Sequence, residues 1–202
     1  MEIKNEDLIV VQIGANRGND HLTELLKDKK IEKLILVEPF EEHNNSLQNC
    51  YFDKKNFVIE NIIITDKDDI GECEIYYHEE DSTHENKFEL ASLNKKHSLN
   101  IRSHYNESGL KFRTLPCLTL MNLFKKHNLK KIDILYIDTE GFDDKLIKSI
   151  DFENILIEKI FYENLHINKS EIREYFINKN FEVIESVDEP HGWSDLAINK
   201  NI

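Results

Sequence analysis

Two carboxylates follow an apolar run in the second half of the chain. Asp138 and Glu140 are separated by one residue on a turn that Gly141 closes, directly after the mostly apolar run 132–137. A carboxylate at such a place can take up the proton of a hydroxyl group that attacks an electrophile. With Glu163 as a further oxygen ligand, the pair could also hold Mg²⁺, which would lower the pKa of that hydroxyl group. The alternative is that the pair caps the helix that follows.

Histidines supply a second type of group for proton transfer. His166 comes soon after the apolar residues 160–162 and is the better placed general base, whereas His191 lies in a terminal hairpin near Trp193. The alternative for each histidine is an ordinary surface position. Tyr162 and Trp193 are expected in the core or at the rim of a site.

The start of the chain predicts what is bound near these groups. Residues 8–13 form an apolar run with almost no alternation, which is typical of a strand buried on both faces. Gly14 and Gly18 follow and allow a tight turn on which a helix can begin. Glu38 ends a second apolar run about 20 residues further on, the spacing at which a carboxylate reaches the hydroxyl groups of a ribose. The sequence therefore predicts an adenosine-containing cofactor.

The residue in the middle of the turn distinguishes between such cofactors. Asn16 stands where a dinucleotide-binding turn has the glycine that lets backbone N–H groups close on a pyrophosphate. An amide side chain instead suits the amino and carboxylate groups in the methionine part of S-adenosylmethionine (SAM). We therefore expect SAM. NAD is the alternative, and a turn that merely connects strand and helix is the interpretation without a cofactor.

Apolar runs alternate with segments of helical periodicity along most of the chain, which predicts a mostly parallel sheet with right-handed crossovers. In an open sheet of this type, ligands bind at the carboxyl ends of the strands. The polar residues after each run are therefore the site candidates, and Asn61 is one of them. The predicted strands cover 8–13, 33–37, 57–64 with an interruption at 60–61, 73–77, 132–137, 160–162, 181–187 and 193–199, and the predicted helices cover 41–52, 142–150 and 168–179, with two more capped by Asn19 or Asp20 and by Thr119.

Residues 79–109 depart from this alternation. The segment is polar and lacks clear periodicity, so it is predicted to be a long loop that covers the site and determines the substrate. His97, Arg102 and His104 lie within it and Arg113 follows it. These basic groups in an acidic protein are interpreted either as solvated loop residues or as contacts to an acidic or polyhydroxyl substrate.

Length and composition limit the class of protein. The chain has 202 residues, 40% of them hydrophobic, and a net charge of −13, which fits one domain over 1–202 and disfavours nucleic acid as a partner. No stretch approaches the roughly 20 apolar residues of a membrane span, and the polar first residues do not resemble a signal peptide. Three widely spaced cysteines argue against a disulfide framework or a zinc site. We therefore expect a cytoplasmic protein. No exposed heptad or apolar stripe indicates an oligomer.

Several segments of the chain resemble the FkbM family of SAM-dependent methyltransferases. They occur in order from about Val10 to the final hairpin, and the block at 136–142 is the most specific of them. The segments are VQIGANRG at 11–18, LVEP at 36–39, the turn at 71–72 that leads into 75–76, ASL at 91–93, LTL at 118–120 and YIDTEGF at 136–142.

The resemblance implies an α/β class I methyltransferase fold, which is Rossmann-like, with a mostly parallel seven-stranded sheet and a C-terminal antiparallel hairpin. It also implies O-methylation, commonly of a sugar or another secondary-metabolite hydroxyl group. By the resemblance, the cofactor turn is Gly14, Asn16 and Gly18, the ribose acid is Glu38, and the fourth-strand block is Asp138 and Glu140.

Two positions depart from the family pattern. The family usually has an acidic residue where this chain has Gln12, and this change would weaken a hydrogen bond to the cofactor. A small residue is usual where Ile62 and Ile63 stand, near the expected edge of the adenine. The two isoleucines would tighten an apolar slot for that ring.

The combined prediction is a SAM-dependent O-methyltransferase that acts on a hydroxyl group of a carbohydrate or glycoconjugate, as a small molecule or a glycan. The alternatives are an NAD-dependent oxidoreductase and a non-catalytic SAM-binding regulatory or assembly module. Mg²⁺ is a candidate second cofactor. The predicted catalytic residues are Asp138, Glu140 and His166, and the predicted cofactor contacts are Gln12, Gly14, Ala15, Asn16, Gly18, Glu38, Asn61 and Asp138.

Overall fold

The computed structural model describes residues 7–68, 71–82, 88–187 and 192–202, with the side chains of 81 and 82 left aside. Residues 188–191 of the predicted hairpin turn at 188–192, among them His191, lie outside these residues. The strands are β1 Leu8–Ile13, β2 Ile31–Val37, β3 Phe57–Glu60, β4 Ile63–Thr65, β5 Glu72–His78, β6 Leu110–Thr119, β7 Lys131–Ile137, β8 Leu156–Glu163, β9 Phe181–Ile184 and β10 Ser194–Asn199. The α-helices are α1 His21–Leu26, α2 Asn44–Cys50, α3 Lys95–Asn100, α4 Leu120–Lys126, α5 Asp143–Lys148 and α6 Lys169–Asn178, and 3₁₀ turns cover Glu41–His43 and Glu79–Ser82.

Seven strands form the main sheet in the order β3-β2-β1-β7-β8-β10-β9. The five strands from β3 to β8 are parallel, whereas β10 runs antiparallel between β8 and β9. This confirms the predicted fold class. The strand order reverses beside β1: β2 and β3 follow on one side of β1, and the chain returns to the main sheet at β7 on the other side. A ligand cleft is expected at that point.

The apolar runs are buried because both faces of the main sheet are covered. Val11 and Leu135 belong to the cluster on one face, and Val10 and Ile134 belong to the cluster on the other, all four with at most 1% exposure. Successive side chains of a strand point to opposite faces, so a strand that is covered on both faces is apolar at nearly every position. This accounts for the lack of alternation in the sequence. The buried exceptions in β1 and β7, Gln12 and Asp133, are hydrogen-bonded to Asp20 and to the N–H of Ile9, respectively.

A second, three-stranded sheet in the order β4-β6-β5 was not predicted. The segment 57–64 was expected to be one interrupted strand, but β3 joins the main sheet and β4 pairs with β6 instead. The strand β6 was not predicted because its sequence does not alternate regularly between apolar and polar residues. Pro116 lies within it, and the apolar Phe112 is 55% exposed.

Four of the α-helices begin directly after a residue whose side chain caps them. Asp20, Thr119 and Asn168 each accept a hydrogen bond from a backbone N–H in the first turn of α1, α4 and α6, as their residue types predict. Asn94 does the same for α3, which corrects the expectation that 79–109 is a loop throughout. The predicted helix at 41–52 is a 3₁₀ turn followed by α2, and the strand predicted at 181–187 ends at Ile184. In the described part of the chain, no helix is both long and apolar enough to cross a membrane.

Candidate active site

A cavity of about 840 Å³ opens at the carboxyl ends of β1, β2 and β7, where the strand order reverses. Its floor consists of the turns that follow these strands, and its far wall comes from β4, β5 and the segment before α3. The predicted site residues that line it are Gly14, Ala15, Asn16, Gly18, Glu38, Asp138, Glu140 and His166.

The turn after β1 requires glycine because the chain passes very close to β7. Gly14 has a φ of +80°, and a Cβ atom built there would lie 1.7 Å from the carbonyl oxygen of Asp138. The backbone N–H groups of Gly14 and Ala15 both donate to the carbonyl of Val37 at 3.0 Å. The turn is thereby fixed to the ends of both neighbouring strands. Gly18 closes it with a φ of +74°.

Glu38 is held by backbone donors from two turns. Its Oε2 accepts the N–H of Asn16 at 2.8 Å, and its Oε1 accepts the N–H of Phe40 at 2.9 Å. The Nδ1 of His43 lies 3.3 Å from Oε1. A carboxylate offers about four acceptor positions, two on each oxygen, so one acceptor position of Oε2 remains free for a further donor. Such a donor would come from the cavity, which Glu38 lines.

The side chain of Asn16 leaves a buried acceptor without a partner. No described group donates a hydrogen bond to its Oδ1, which is shielded from solvent although the residue lines the cavity. A buried polar atom of this kind costs stability unless a ligand satisfies it. The atom is therefore available to a hydrogen-bond donor of a bound molecule.

Gln12 lies behind the cavity and acts on it through Asp20. The Nε2 of Gln12 donates to Oδ2 of Asp20 at 2.5 Å, while Oδ1 of Asp20 caps α1. An acidic residue at position 12 would instead repel Asp20, whereas the amide of Gln12 donates to it. Asp20 lines the cavity and was assigned only a capping role from the sequence.

Asn61 likewise stands outside the cavity lining. Its Nδ2 donates to the carbonyl of Glu38 and to Oδ1 of Asn44, and the amide of Asn44 donates back to Oδ1 of Asn61, all at 2.9 Å. The side chain therefore connects the ends of β2 and β3 to α2. In the structure it supports the backbone of the predicted ribose acid.

One end of the cavity is apolar. Phe40 and Phe88 are stacked with their ring centroids 4.1 Å apart and an interplanar angle of 10°. Ile63 and Ile75 belong to the same cluster, and Ile62 lines the cavity beside them. These side chains make this part of the cavity lining apolar, and Ile62 and Ile63 are the residues that were predicted beside the adenine.

At the other end, carboxylates and histidines converge. The Oε2 of Glu140 lies 3.3 Å from Nε2 of His97 and 3.7 Å from Nε2 of His166. The two imidazole centroids are 4.3 Å apart, and Oε1 of Glu163 lies 3.9 Å from Nε2 of His166. Glu140 itself has a φ of +52°, an uncommon conformation for a residue with a side chain. The turn after β7 therefore aims its second carboxylate at two histidines.

Burial changes the proton affinity of several of these groups. Desolvation, with help from the charges of Glu140 and Asp143, raises the pKa of Asp138 well above its usual range. Desolvation also lowers the pKa of His166, and the neighbouring His97 lowers it further. At neutral pH the His166 imidazole is therefore neutral and able to accept a proton.

The alternative capping role of the two carboxylates is wrong. Phe142 is the N-cap residue of α5 and makes no side-chain capping hydrogen bond. Asp143 instead accepts hydrogen bonds from the backbone N–H and the hydroxyl group of Thr139 at 3.3 and 3.0 Å. This leaves the side chains of Asp138 and Glu140 on the cavity side.

The basic residues of the segment 79–109 and its flank have different roles. Arg113 pairs with Glu42 at 2.8 Å, and His104 lies 3.2 Å from Glu80. Arg102 lines the cavity with an exposed side chain, and His97 joins the cluster around Glu140. The sequence did not assign His97 a role at Glu140, because a contact between α3 and the turn after β7 leaves no periodic signal.

The strand order and the position of the cavity define the class I methyltransferase fold. The family model for the methyltransferase FkbM domain matches residues 12–185. The chain belongs to the FkbM methyltransferase domain family, and this membership does not support the NAD-dependent alternative. The sequence matches no curated protein.

A solved structure shares the architecture with a TM-score above 0.5, and two further ones align with lower TM-scores. A methyltransferase FkbM from Methylobacillus flagellatus KT aligns over 98% of this chain with a TM-score of 0.54 and 14% identity. This chain spans 44% of the length of that protein. Precorrin-6y C5,15-methyltransferase from Geobacter metallireducens GS-15 covers 97% of this chain, and the match covers 82% of that protein, with a TM-score of 0.49 and 9% identity. Aeropyrum pernix fibrillarin, in complex with natively bound S-adenosyl-L-methionine, covers 98%, and 68% of its own length is matched, with a TM-score of 0.49 and 10% identity. Likeness at such identities establishes the fold alone.

Proposed function

We propose that the protein is a SAM-dependent O-methyltransferase whose acceptor is a hydroxyl group of a carbohydrate or glycoconjugate. The observation that carries this proposal is that the Glu38–Asn16 unit and the residues Asp138, Glu140 and His166 line the same cavity. One part of the cavity suits an adenosine, and the other suits proton transfer from an acceptor. The family membership supports the reaction class.

SAM would be bound by features distributed along the cavity. The adenine would enter the apolar slot beside Phe40, and the free acceptor position of Glu38 would bind a ribose hydroxyl group. The unpartnered Oδ1 of Asn16 would accept a hydrogen bond from the methionine amino group, with the Asp20 carboxylate near enough to line the same space. Gln12 and Asn61 would act as positioning residues for Asp20 and Glu38.

The charge of the cavity also favours SAM. Its described lining contains six carboxyl groups and two guanidinium groups; with Asp138 left out because burial raises its pKa, five carboxyl groups still outnumber the two cations. SAM carries a sulfonium ion and an ammonium group against one carboxylate, so it enters such a field more readily than a dinucleotide with two phosphates. This argument agrees with the substitution of Asn16 for a pyrophosphate-binding glycine.

The reaction would need positioning and one proton acceptor. The acceptor oxygen forms a bond to the methyl carbon as the S–C bond breaks, the sulfonium becomes a thioether, and the hydroxyl proton leaves. His166, neutral at physiological pH, would take that proton, and Glu140 would orient the imidazole and stabilise its charged form. Asp138 would lie beside the sulfonium and acceptor. Mg²⁺, if it takes part, would bind the oxygen atoms of Asp138, Glu140 and Glu163.

The acceptor side is proposed to be formed by the segment 79–109. Leu90, Ser92 and Arg102 line the cavity from this segment, and Arg102 provides a charge at its mouth. A single domain and a cytoplasmic location remain our proposals from composition.

The test is a methyl-transfer assay with SAM and a panel of sugars and glycans, read by mass spectrometry. We expect one acceptor class to gain a methyl group on oxygen. The variants H166A and E140Q should lower kcat by about 10²- to 10⁴-fold, while H104A, on the protein surface, should not. SAM binding without transfer to any acceptor would favour the non-catalytic module. Transfer to nitrogen, or full activity of both variants, would overturn the proposed chemistry.

A further inference from the structure

His97, which lies beside Glu140 and His166 in the structure, is far from both of them in the chain. His97 lies on α3, and its backbone N–H is capped by Oδ1 of Asn94 at 3.3 Å. Just before this cap, the hydroxyl group of Ser92 donates to the carbonyl of Glu140 at 2.7 Å. This hydrogen bond connects the segment before α3 to the turn after β7. It places the imidazole of His97 near the carboxylate of Glu140 and the imidazole of His166.

We propose that His97, Glu140 and His166 bind a divalent transition-metal ion, with Zn²⁺ as the expected occupant. One nitrogen of each histidine and one oxygen of the carboxylate all lie within 4.8 Å of one another. Two neutral imidazoles with one carboxylate are a common ligand set of Zn²⁺ sites that keep one position open. The catalytic consequence of this site rests on the function proposed above. With Zn²⁺ bound, His166 would be a ligand instead of the proton acceptor, and the open position of the ion would polarise the acceptor hydroxyl group and lower its pKa.

The distances between the donor atoms agree with tetrahedral coordination. With metal–ligand bonds of about 2.0–2.1 Å, neighbouring ligand atoms of a tetrahedral site lie about 3.3 Å apart. The separations from Oε2 of Glu140 to Nε2 of His97 and of His166 are 3.3 and 3.7 Å. The three side chains are 10%, 15% and 24% exposed, which shields them but leaves access from the cavity. Small rotations of the side chains would bring all three donors onto one ion.

Gly141 lies close to both histidines of the proposed site. A Cβ atom at Gly141 would lie 3.2 Å from Nδ1 of His97 and 3.3 Å from Cβ of His166. Glycine at this position therefore lets both histidines approach the turn, and its φ of +80° suits glycine as well. A side chain at position 141 would require both histidines to move by a few tenths of an ångström.

The two imidazoles argue for a transition metal rather than Mg²⁺. Mg²⁺ prefers oxygen ligands and retains several waters, whereas imidazole is a preferred ligand of Zn²⁺. The oxygen atoms of Asp138, Glu140 and Glu163 also lie within 4.8 Å of one another, so they form a competing set. Glu140 is common to both sets, and a metal-selectivity experiment therefore distinguishes between them.

The experiment is a metal titration of the purified, chelator-treated full chain. Zn²⁺ is titrated in competition with a chromophoric chelator, and Co²⁺ is added as a spectroscopic probe of four-coordinate geometry. We expect one ion per chain and a visible absorption band with Co²⁺. H97A, H166A and E140Q should each weaken Zn²⁺ binding by about tenfold or more. H104A is the matched control and should bind Zn²⁺ as the wild type does.

Thermal stabilisation by SAM, measured on the same samples, separates this inference from the proposed function. SAM stabilisation with no Zn²⁺ binding, or with Zn²⁺ binding that H97A and H166A leave unchanged, would overturn the metal site alone. Tighter binding of Mg²⁺ than of Zn²⁺ would overturn it in favour of the oxygen set. If SAM does not stabilise the wild-type protein, this result would contradict the proposed function, not the metal site. If H97A does not fold, H166A provides the same test from the opposite side of the cluster.

Discussion

The Oε2 atom of Glu38 accepts a hydrogen bond from the backbone N–H of Asn16 at 2.8 Å. Because Oε1 is held at the same time by the N–H of Phe40, the carboxylate is fixed before a ligand arrives. The glycine turn after β1 and the acid after β2 are therefore one unit. A site that is organised in advance loses less conformational entropy on binding.

Replacing Glu38 tests this unit. E38Q keeps the size of the side chain but turns an amide NH₂ group toward one of the two backbone donors. Charge-assisted hydrogen bonds contribute about 1.5–3 kcal/mol, so we expect SAM affinity to fall about tenfold to a hundredfold, measured by isothermal titration calorimetry. The exposed neighbour Glu41 provides the control variant E41Q, which should bind normally. Unchanged affinity in E38Q would remove Glu38 from the cofactor site.

Gly14 and Gly71 form a matched pair for testing the close approach of β1 to β7. Both have positive φ, but an added Cβ at Gly71 meets nothing within 4 Å, whereas at Gly14 it overlaps the carbonyl of Asp138. G71A should cost only about 1–2 kcal/mol of backbone strain. G14A should cost about 3 kcal/mol or more, and this difference is measured by urea unfolding. Equal losses of stability would mean that the approach is not tight in solution.

The amide pair of Asn61 and Asn44 tests the supporting role of Asn61. N61A leaves the carbonyl of Glu38 and the side chain of Asn44 without a partner, so we expect a loss of about 1–3 kcal/mol in the free energy of unfolding. The double variant N44A/N61A should be more stable than the sum of the single losses predicts. SAM affinity should fall less in N61A than in E38Q. The reverse order would indicate that Asn61 contacts the cofactor directly.

Asp143 makes stability depend on pH. Desolvation raises its pKa to about 7, against about 3.9 in an unfolded chain. Between these values the folded state keeps a proton that the unfolded state releases. The contribution of Asp143 to the free energy of unfolding therefore falls as the pH rises from about 4 to about 7, and then levels off. Thermal unfolding of D143N should show less of this decline than the wild type, with the half-buried neighbour variant D144N as control. An identical decline in D143N would contradict the assignment.

The main sheet could be predicted because its physical signals are local. An apolar run such as 132–137 must be buried on both faces, and residues such as Asp20 and Thr119 cap the helices that follow them. The carboxyl ends of the strands then determine where polar residues meet. Most of the predicted site residues, from Gly14 to His166, line one cavity for this reason.

The second sheet and the position of His97 could not be predicted in this way. Pro116 and the exposed Phe112 obscure the pattern of β6, and β4 has only three residues. The contact between His97 and Glu140 joins residues that are far apart in the chain, and a single sequence carries no periodic signal for such a contact. Gln12 and Asn61, predicted as cofactor contacts, lie at the ends of β1 and β3, but their side chains bond to other polar groups and are not part of the cavity lining.

Binding of SAM is the central claim, and thermal unfolding with SAM, S-adenosylhomocysteine and NAD in parallel tests it most directly. A ligand at about 100 times its dissociation constant stabilises the folded state by about 2.7 kcal/mol, which raises Tm by roughly 5 °C or more in a chain of this size. We expect the two adenosyl-sulfur ligands to raise Tm and NAD to leave it unchanged. A rise with NAD alone, or with none of the three, would contradict the assignment of the cavity to SAM.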